Sequence, residues 1–111
     1  MTQLILCDID GTLLQNGAAA IDPAIFHQIA RLQEKGIRFC PASGRQYTSL
    51  RKLFAPVADQ LYYLCENGAV IFGPGASGPI LSRTEMDRAL ALELCRDILA
   101  HPRCEVLISG A

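Results

Sequence analysis

The chain has 111 residues, of which 50% are apolar and 19% are charged, and its formal net charge at pH 7 is −1. This length allows one domain, or one domain and part of another, and the apolar content favours a folded core over disorder. The near-neutral charge argues against a surface for nucleic acid or anionic lipid, and the apolar runs are too short to span a bilayer. The first residues lack the basic flank of a signal peptide.

The first part of the chain alternates between strand-like and helix-like segments. An unbroken apolar run at residues 4–7 predicts a strand that is buried on both faces, and the small residues of 11–20 predict a loop. Asp22 followed by Pro23 predicts the start of a helix, with an acidic N-cap and proline at the first helical position. Gly36 is expected to end that helix.

Two more strands and a second helix follow. Residues 37–40 and 61–65 predict strands, and residues 46–54 predict a helix that Pro56 stops. A short strand at 69–72 comes after an Asn-Gly turn and is expected to form a β-hairpin with the strand before it. The alternation of strands and helices predicts an α/β fold with a parallel sheet and right-handed crossovers.

The chain changes character after the predicted hairpin. Residues 82–85 read SRTE, which fits a capping box, and an apolar stripe then predicts a helix to about Ala100. Residues 104–108 predict one more strand. We therefore divide the chain into residues 1–81, part of a core domain, and residues 82–111, the beginning of a second and incomplete domain.

The cysteine content indicates the redox environment. There are five cysteines, an odd number, and no C-x-x-C pair occurs among them. Three of them lie inside apolar, strand-like runs, where free thiols commonly pack as small apolar groups. We interpret all five as free thiols of a cytoplasmic protein, without a structural disulfide or a cysteine-based metal cluster.

Polar residues follow the three predicted parallel strands. Asp8, Ser43 and Asn67 each fall at or just after the carboxyl end of a strand. Ligands of open α/β sheets bind at this edge. The three positions are therefore expected to lie on one rim of the sheet and to form a binding site.

Asp8 and Asp10 are the first candidate pair on this rim. Two carboxylates this close repel each other unless a cation lies between them or one of them holds a proton. Mg²⁺ prefers such oxygen ligands together with a substrate phosphate. Asp8 is suited to nucleophilic attack on phosphorus and Asp10 to general acid and base work, while Gly11 allows a sharp turn. The alternative interpretation is an ordinary solvated Asp-Gly turn.

The other two segments are suited to anions. Ser43 and Gly44 present a hydroxyl and amide groups between a strand and a helix, and Arg45 is placed to clamp a phosphate or another acidic group. The alternative makes Ser43 a helix cap and Arg45 a solvated charge. Asn67 lies on the same rim and is expected near a substrate, although Asn-Gly is also the favoured two-residue hairpin turn.

Taken in series, these segments resemble the motifs of the haloacid dehalogenase-like hydrolase superfamily, and more closely its Cof-type (subfamily IIB) sugar-phosphatase branch. Residues 8–14 read DIDGTLL, residues 41–45 read PASGR and residues 66–69 read ENGA. The resemblance implies a Rossmann-like core of parallel strands and flanking helices, with a β-hairpin and a large α/β cap inserted after the third core strand. Residues 82–111 would be the start of that cap.

The resemblance also implies a function. It implies a Mg²⁺-dependent phosphatase that hydrolyses a small phosphorylated metabolite, such as a sugar phosphate. Asp8 would form an aspartyl-phosphate and Asp10 would act as acid and base, and both would ligate Mg²⁺. The other motif residues would hold the substrate: Thr12, Ser43 and Gly44 its phosphate, and Arg45 and Asn67 the remainder. An acid at position 10 favours phosphoryl transfer over dehalogenation.

The family pattern continues beyond position 111, where it places a lysine motif and a G-D-x-x-N-D segment. Neither Lys35 nor Lys52, in predicted helices away from the rim, is expected to replace that lysine. We therefore expect a catalytically incomplete fragment that self-associates through an uncovered sheet edge. Two alternatives stay open: a non-enzymatic oligomerising or binding module with a vestigial Mg²⁺ or phosphate site, and a phosphomutase.

Overall fold

The computed structural model describes residues 1–110, which contain one five-stranded mixed sheet with two helices packed against it. The strands lie side by side in chain order: β1 (Leu4–Asp8), β2 (Arg38–Ala42), β3 (Tyr63–Cys65), β4 (Val70–Phe72) and β5 (Ile80–Arg83). The helices are α1 (Pro23–Glu34), α2 (Tyr47–Leu53) and α3 (Arg88–Leu99), and a 3₁₀ segment (Ala55–Gln60) follows α2. The first three strands are parallel, whereas β4 and β5 are antiparallel to their neighbours. The predicted α/β fold is confirmed, but the prediction that β1 is buried on both faces is wrong, because β1 is an edge strand in which Leu4 and Leu6 are exposed.

Local signals in the sequence determine both ends of α1. The Asp22 carboxylate accepts a hydrogen bond from the amide of Ala24 at 3.0 Å, and Pro23 occupies the first helical position. Gly36 has a φ of +76°, the left-handed conformation that commonly follows a helix end. Ile29 is the fully buried residue of this helix and faces the core. The predicted helix start and end are confirmed.

The core lies between the sheet and helices α1 and α2. Phe54, which is fully buried just after α2, contacts the ring of Phe26 in α1 and the ring of Phe39 in β2 at centroid distances of 6.1 and 6.2 Å. Large aromatic side chains contribute much of the burial energy of such a core. This cluster therefore fixes both helices relative to β2 and positions the carboxyl end of that strand.

Strands β3 and β4 form the predicted hairpin. Their register pairs Cys65 with Val70, so four residues, 66–69, make the connection. Glu66 and Asn67 both have a φ of +55°, which is uncommon for residues other than glycine. The hairpin is confirmed, but its loop is longer than the two-residue Asn-Gly turn that was one interpretation of the sequence.

The predicted capping box at residues 82–85 is wrong. Ser82 lies within β5, opposite Ile71 of β4, because the free edge of β4 offers hydrogen bonds that outweigh the local helix signal. The following helix begins instead at Arg88, where the Asp87 carboxylate accepts from the amide of Leu90 at 3.0 Å. The predicted division between residues 81 and 82 falls inside β5 and stays a prediction.

The predicted strand at residues 104–108 is also wrong. A turn follows α3, with Arg103 at a φ of +67°, and residues 104–110 join no sheet of the described chain. Strand propensity alone does not make a strand, because the extended backbone needs a neighbouring strand to pair with. Within residues 1–110 this segment has no such neighbour.

Helix α3 projects from the body of the molecule. It contains no buried residue, and its apolar positions Leu90, Leu94 and Ile98 are 40–47% exposed. The radius of gyration is 16.6 Å, against about 13 Å for a compact chain of this size. None of the helices within residues 1–110 is long and apolar enough to cross a membrane.

Candidate active site

The first motif folds into a tight loop around one backbone carbonyl. The amides of residues 12–14 all donate to the carbonyl of Ile9 at 3.0–3.1 Å, and Gly11 has a φ of +85° that a side chain would strain. The side chain of Ile9 is fully buried. Asp8 and Asp10, on either side of it, are therefore turned outward and are exposed.

Asp8 is the last residue of β1, and its carboxylate is oriented by the loop. The Thr12 hydroxyl donates to Asp8 Oδ2 at 2.9 Å. Within residues 1–110, no protein group donates to the other carboxylate oxygen, Oδ1. Asp8 thus presents one anchored and one available oxygen at the carboxyl end of the sheet.

Asp10 forms a bidentate ion pair with Arg45. The Arg45 guanidinium donates from Nε to Asp10 Oδ2 at 3.1 Å and from Nη2 to Asp10 Oδ1 at 2.9 Å. This hydrogen-bonded pairing lowers the pKa of Asp10 and raises that of Arg45. The side chains are 60% and 35% exposed, so water and ligands can reach the pair. An anionic ligand that binds Arg45 must therefore compete with Asp10.

Ser43 directly follows β2 and is 8% exposed. Its Oγ accepts from the amide of Arg45 at 3.0 Å, which leaves the hydroxyl proton available to a ligand. The interpretation of Ser43 as the cap of α2 is wrong, because that helix begins at Tyr47 and Gln46 holds the N-cap position. Ser43 instead stabilises a short turn between the strand and the helix.

Two backbone hydrogen bonds join the second motif to the hairpin loop. The amide of Asn67 donates to the Ser43 carbonyl at 3.0 Å, and the amide of Glu66 donates to the Arg45 carbonyl at 3.1 Å. The side chain of Asn67 also covers Gly44 so closely that a Cβ there would lie 3.1 Å from Asn67 Oδ1. The two loops therefore form one connected surface.

The structure brings all seven candidate residues to one rim of the sheet. Asp8 at the end of β1 is the register partner of Ala42 at the end of β2, which places the first motif beside the second. Hydrogen bonds link Asp8 with Thr12, Asp10 with Arg45, and Ser43 with both Arg45 and Asn67. A close contact links Gly44 with the side chain of Asn67. Their catalytic and binding roles stay predictions.

The donor groups of the first motif are chemically suited to Mg²⁺. Within residues 1–110, Asp8 Oδ2 accepts a single hydrogen bond, from Thr12, and no backbone amide donates to the Asp10 carbonyl, so both oxygens keep a lone pair for a cation. Mg²⁺ is commonly held by one or two carboxylates together with carbonyl, water and substrate phosphate oxygens. No cluster of three or more acidic, histidine or cysteine side chains forms in the described part of the chain. The motif therefore fits part of a Mg²⁺ shell.

Several contacts near the rim could not be predicted from the sequence. The Ser109 hydroxyl donates to Glu66 Oε1 at 2.7 Å and accepts from Gln46 Nε2 at 2.7 Å, which brings the last described residues to the hairpin loop. No motif signals a contact between residues so far apart in the chain. Lys52, expected to lie away from the rim, lines a groove that also includes Arg45.

Known proteins resemble this chain over most of its length. Residues 5–111 match the sequence profile of haloacid dehalogenase-like hydrolases. A 5-amino-6-(5-phospho-D-ribitylamino)uracil phosphatase of Escherichia coli is 27% identical over 108 residues, which are 97% of this chain and 39% of that protein. A phosphoglycolate phosphatase of Saccharolobus solfataricus is 34% identical over 73 residues, 65% of this chain and 32% of that protein. The crystal structure of a Eubacterium rectale protein has a TM-score of 0.76 and 40% identity, covering 89% of this chain and 37% of that one.

The chain belongs to the haloacid dehalogenase-like hydrolase family, as its three motifs predict. It spans 39% of the length of the Escherichia coli relative and 32% of the length of the Saccharolobus solfataricus relative. Asp8, Asp10 and Ser43 of the rim lie within the residues that match the family profile.

Proposed function

We propose that this chain is the N-terminal part of a Mg²⁺-dependent, Cof-type phosphatase that hydrolyses a small phosphorylated metabolite, such as a sugar phosphate. The observation that carries the proposal is Asp8, whose carboxylate is oriented by Thr12 and keeps one oxygen available beside Asp10. The two curated relatives are named as phosphatases of small phosphorylated molecules, which supports the reaction class. The exact metabolite stays open.

In the proposed reaction, the available oxygen of Asp8 attacks phosphorus. The bond from phosphorus to the ester oxygen breaks, and Asp10 gives that oxygen its proton, so the alcohol leaves and an aspartyl-phosphate remains. Asp10, now ionised, accepts a proton from water, which attacks phosphorus and releases inorganic phosphate and Asp8. Mg²⁺, held by Asp8 and the Asp10 carbonyl, would neutralise charge on the phosphoryl group.

The second motif and the hairpin loop are proposed to hold the substrate. The free hydroxyl proton of Ser43 and the adjoining backbone at Gly44 suit the phosphoryl oxygens, and Asn67 suits the remainder of the molecule. Arg45 holds Asp10 in its ionised form at rest, whereas the acid role needs a proton on Asp10. Substrate must therefore draw Arg45 away, and an anionic group is the natural competitor for a guanidinium.

The activity is proposed for the full-length protein. The resemblance assigns a lysine and further acids to segments beyond position 111, so the 111 residues alone are expected to be inactive. We also propose that the chain associates through β1, an edge strand in which Leu4 and Leu6 are 46% and 57% exposed. The buried free thiols Cys40 and Cys65 support a cytoplasmic location.

The test compares full-length protein with its Asp8→Asn variant in a phosphate-release assay with Mg²⁺. Loss of the nucleophile is expected to lower kcat by roughly a thousandfold or more, and acid-quenched wild-type protein should carry phosphate on the peptide that contains Asp8. Asp22→Asn is the matched control, because it removes a carboxylate while asparagine still caps α1.

The outcomes of this assay distinguish the proposed phosphatase from the two alternatives. Activity that survives Asp8→Asn refutes the assigned nucleophile. A wild-type full-length protein that forms a stable oligomer and releases no phosphate from a panel of phosphate esters supports the binding-module alternative. Transfer of phosphate to another position of the same sugar, seen by product analysis, supports the phosphomutase.

A further inference from the structure

A groove of about 410 Å³ opens beside the candidate active site. It is lined by the two loop alanines at positions 19 and 20, by Arg45, and by Thr48, Ser49, Lys52 and Leu53 of α2. Sites for small molecules have volumes of about 300–1,000 Å³, so this groove is large enough for the body of a small metabolite.

One side chain, that of Arg45, connects the groove with the candidate catalytic residue Asp10. Arg45 lines the groove and at the same time donates to Asp10 at 2.9 and 3.1 Å. In the proposed reaction, Asp10 protonates the oxygen of the leaving group. The part of the substrate attached to that oxygen would lie beside Asp10 and Arg45, and the groove that Arg45 lines is open to it there.

The polar groups of the groove are suited to an anion. No carboxylate lines it, its lining includes the hydroxyl side chains of Thr48 and Ser49, and Arg45 Nη1 donates to Ser49 Oγ at 3.5 Å. Arg45 is already paired with Asp10, whereas Lys52 forms no ion pair with any side chain in the described ranges. An ammonium with three donors and no ion-pair partner among residues 1–110 is a ready site for a carboxylate or phosphate.

We infer that this groove is a subsite for a second anionic group on the substrate, and that Lys52 is its specificity-determining cation. The inference rests on the proposed function. The preferred substrates would be phosphate esters whose leaving group carries a carboxylate or a second phosphate. The second anion would bind Lys52 while the reacting phosphate lies between Asp8 and Ser43.

The inference is tested with two probes that differ in a single group. 6-Phosphogluconate and glucitol 6-phosphate have the same carbon chain, but the first carries a carboxylate at the end far from the phosphate and the second carries an alcohol. Dissociation constants are measured by NMR titration of full-length protein with EDTA in place of Mg²⁺, which prevents turnover. Wild-type protein is expected to bind 6-phosphogluconate about fivefold more tightly, the scale of a solvent-exposed ion pair.

Three variants assign that preference to Lys52. Lys52→Gln keeps a good helix former and is expected to equalise the two affinities, while Lys52→Arg keeps the charge and the preference. Lys35→Gln is the control, because it removes the other lysine of the chain, which lies outside this groove. Equal affinities in wild-type protein, absence of binding, or a preference that survives Lys52→Gln overturns the inference.

The same probes separate this inference from the proposed function. Turnover of both probes by full-length protein, without a Lys52-dependent preference, refutes the subsite and supports the phosphatase. A Lys52-dependent preference in binding, together with no phosphate release by full-length protein from either probe or from the panel of phosphate esters, supports the subsite as a site for dianions and refutes the phosphatase.

Discussion

Replacing Gly44 with alanine tests how the second motif and the hairpin loop fit together. Gly44 is not in the left-handed region, so its backbone accepts alanine. The obstacle is the side chain of Asn67, since a Cβ at position 44 would lie 3.1 Å from its Oδ1 and 3.2 Å from its Nδ2. The amide group must retreat by a few tenths of an ångström, although its backbone is held by the bond to the Ser43 carbonyl.

The expected energy follows from these contacts. Overpacking costs about 1–3 kcal/mol, and the low end applies because Asn67 is exposed and its side chain can rotate, so Gly44→Ala should lower the free energy of unfolding by about 1 kcal/mol. In an Asn67→Ala background the obstacle is gone. There, the reduced freedom of the unfolded chain should make the same substitution stabilising by about 0.5 kcal/mol.

The measurement is a double-mutant cycle by urea denaturation of four proteins: wild-type, the two single variants and the double variant. The strain that alanine meets at position 67, where φ is +55°, is common to both Asn67→Ala arms and cancels. A coupling of about 1.5 kcal/mol is expected. If Gly44→Ala has the same effect in both backgrounds, the side chain of Asn67 does not cover Gly44.

Two further predictions concern ionisation. Burial raises the pKa of Cys40 and that of Cys65 to about 11, so both thiols should stay protonated between pH 7 and 9. They should therefore react far more slowly with iodoacetamide than the exposed Cys104, as measured by mass spectrometry of labelled peptides. Equal rates would contradict the burial of Cys40 and Cys65. Arg45→Gln should raise the pKa of Asp10 from its lowered value, because the guanidinium that favours the ionised carboxylate is lost. NMR titration of the Asp10 carboxyl group measures this pKa. An unchanged titration curve would show that the ion pair does not form in solution.

Those parts of the fold that depend on neighbouring residues were predictable from the sequence. Helix α1 has its acid cap, its first-turn proline and its terminal glycine within one short stretch, so both of its ends could be predicted. The shared rim was predictable for a different reason. Parallel strands bring their carboxyl ends to one edge, so Asp8, Ser43 and Asn67 had to meet once the alternation of strands and helices was recognised.

Features that depend on distant partners were not predictable in this way. Ser82 joins a strand because β4 has a free edge, and residues 104–108 stay outside the sheet because no described strand is available to them. The same applies to the site. Arg45 was expected to face a substrate, but the sequence cannot tell which anion its side chain contacts, and in the structure it holds Asp10, 35 residues away.

The direction of β5 determines the position from which the residues after it leave the sheet. β5 is antiparallel to β4 and therefore ends near the rim. Just beyond that end, the amide of Thr84 donates to the Ala69 carbonyl of the hairpin loop at 2.8 Å. Beyond it, α3 buries no side chain in the described chain. For protein engineering, residues 84–87 are thus a natural junction. Segments exchanged there between relatives would all start above the same rim, and the exchange would leave the sheet and its aromatic core unchanged.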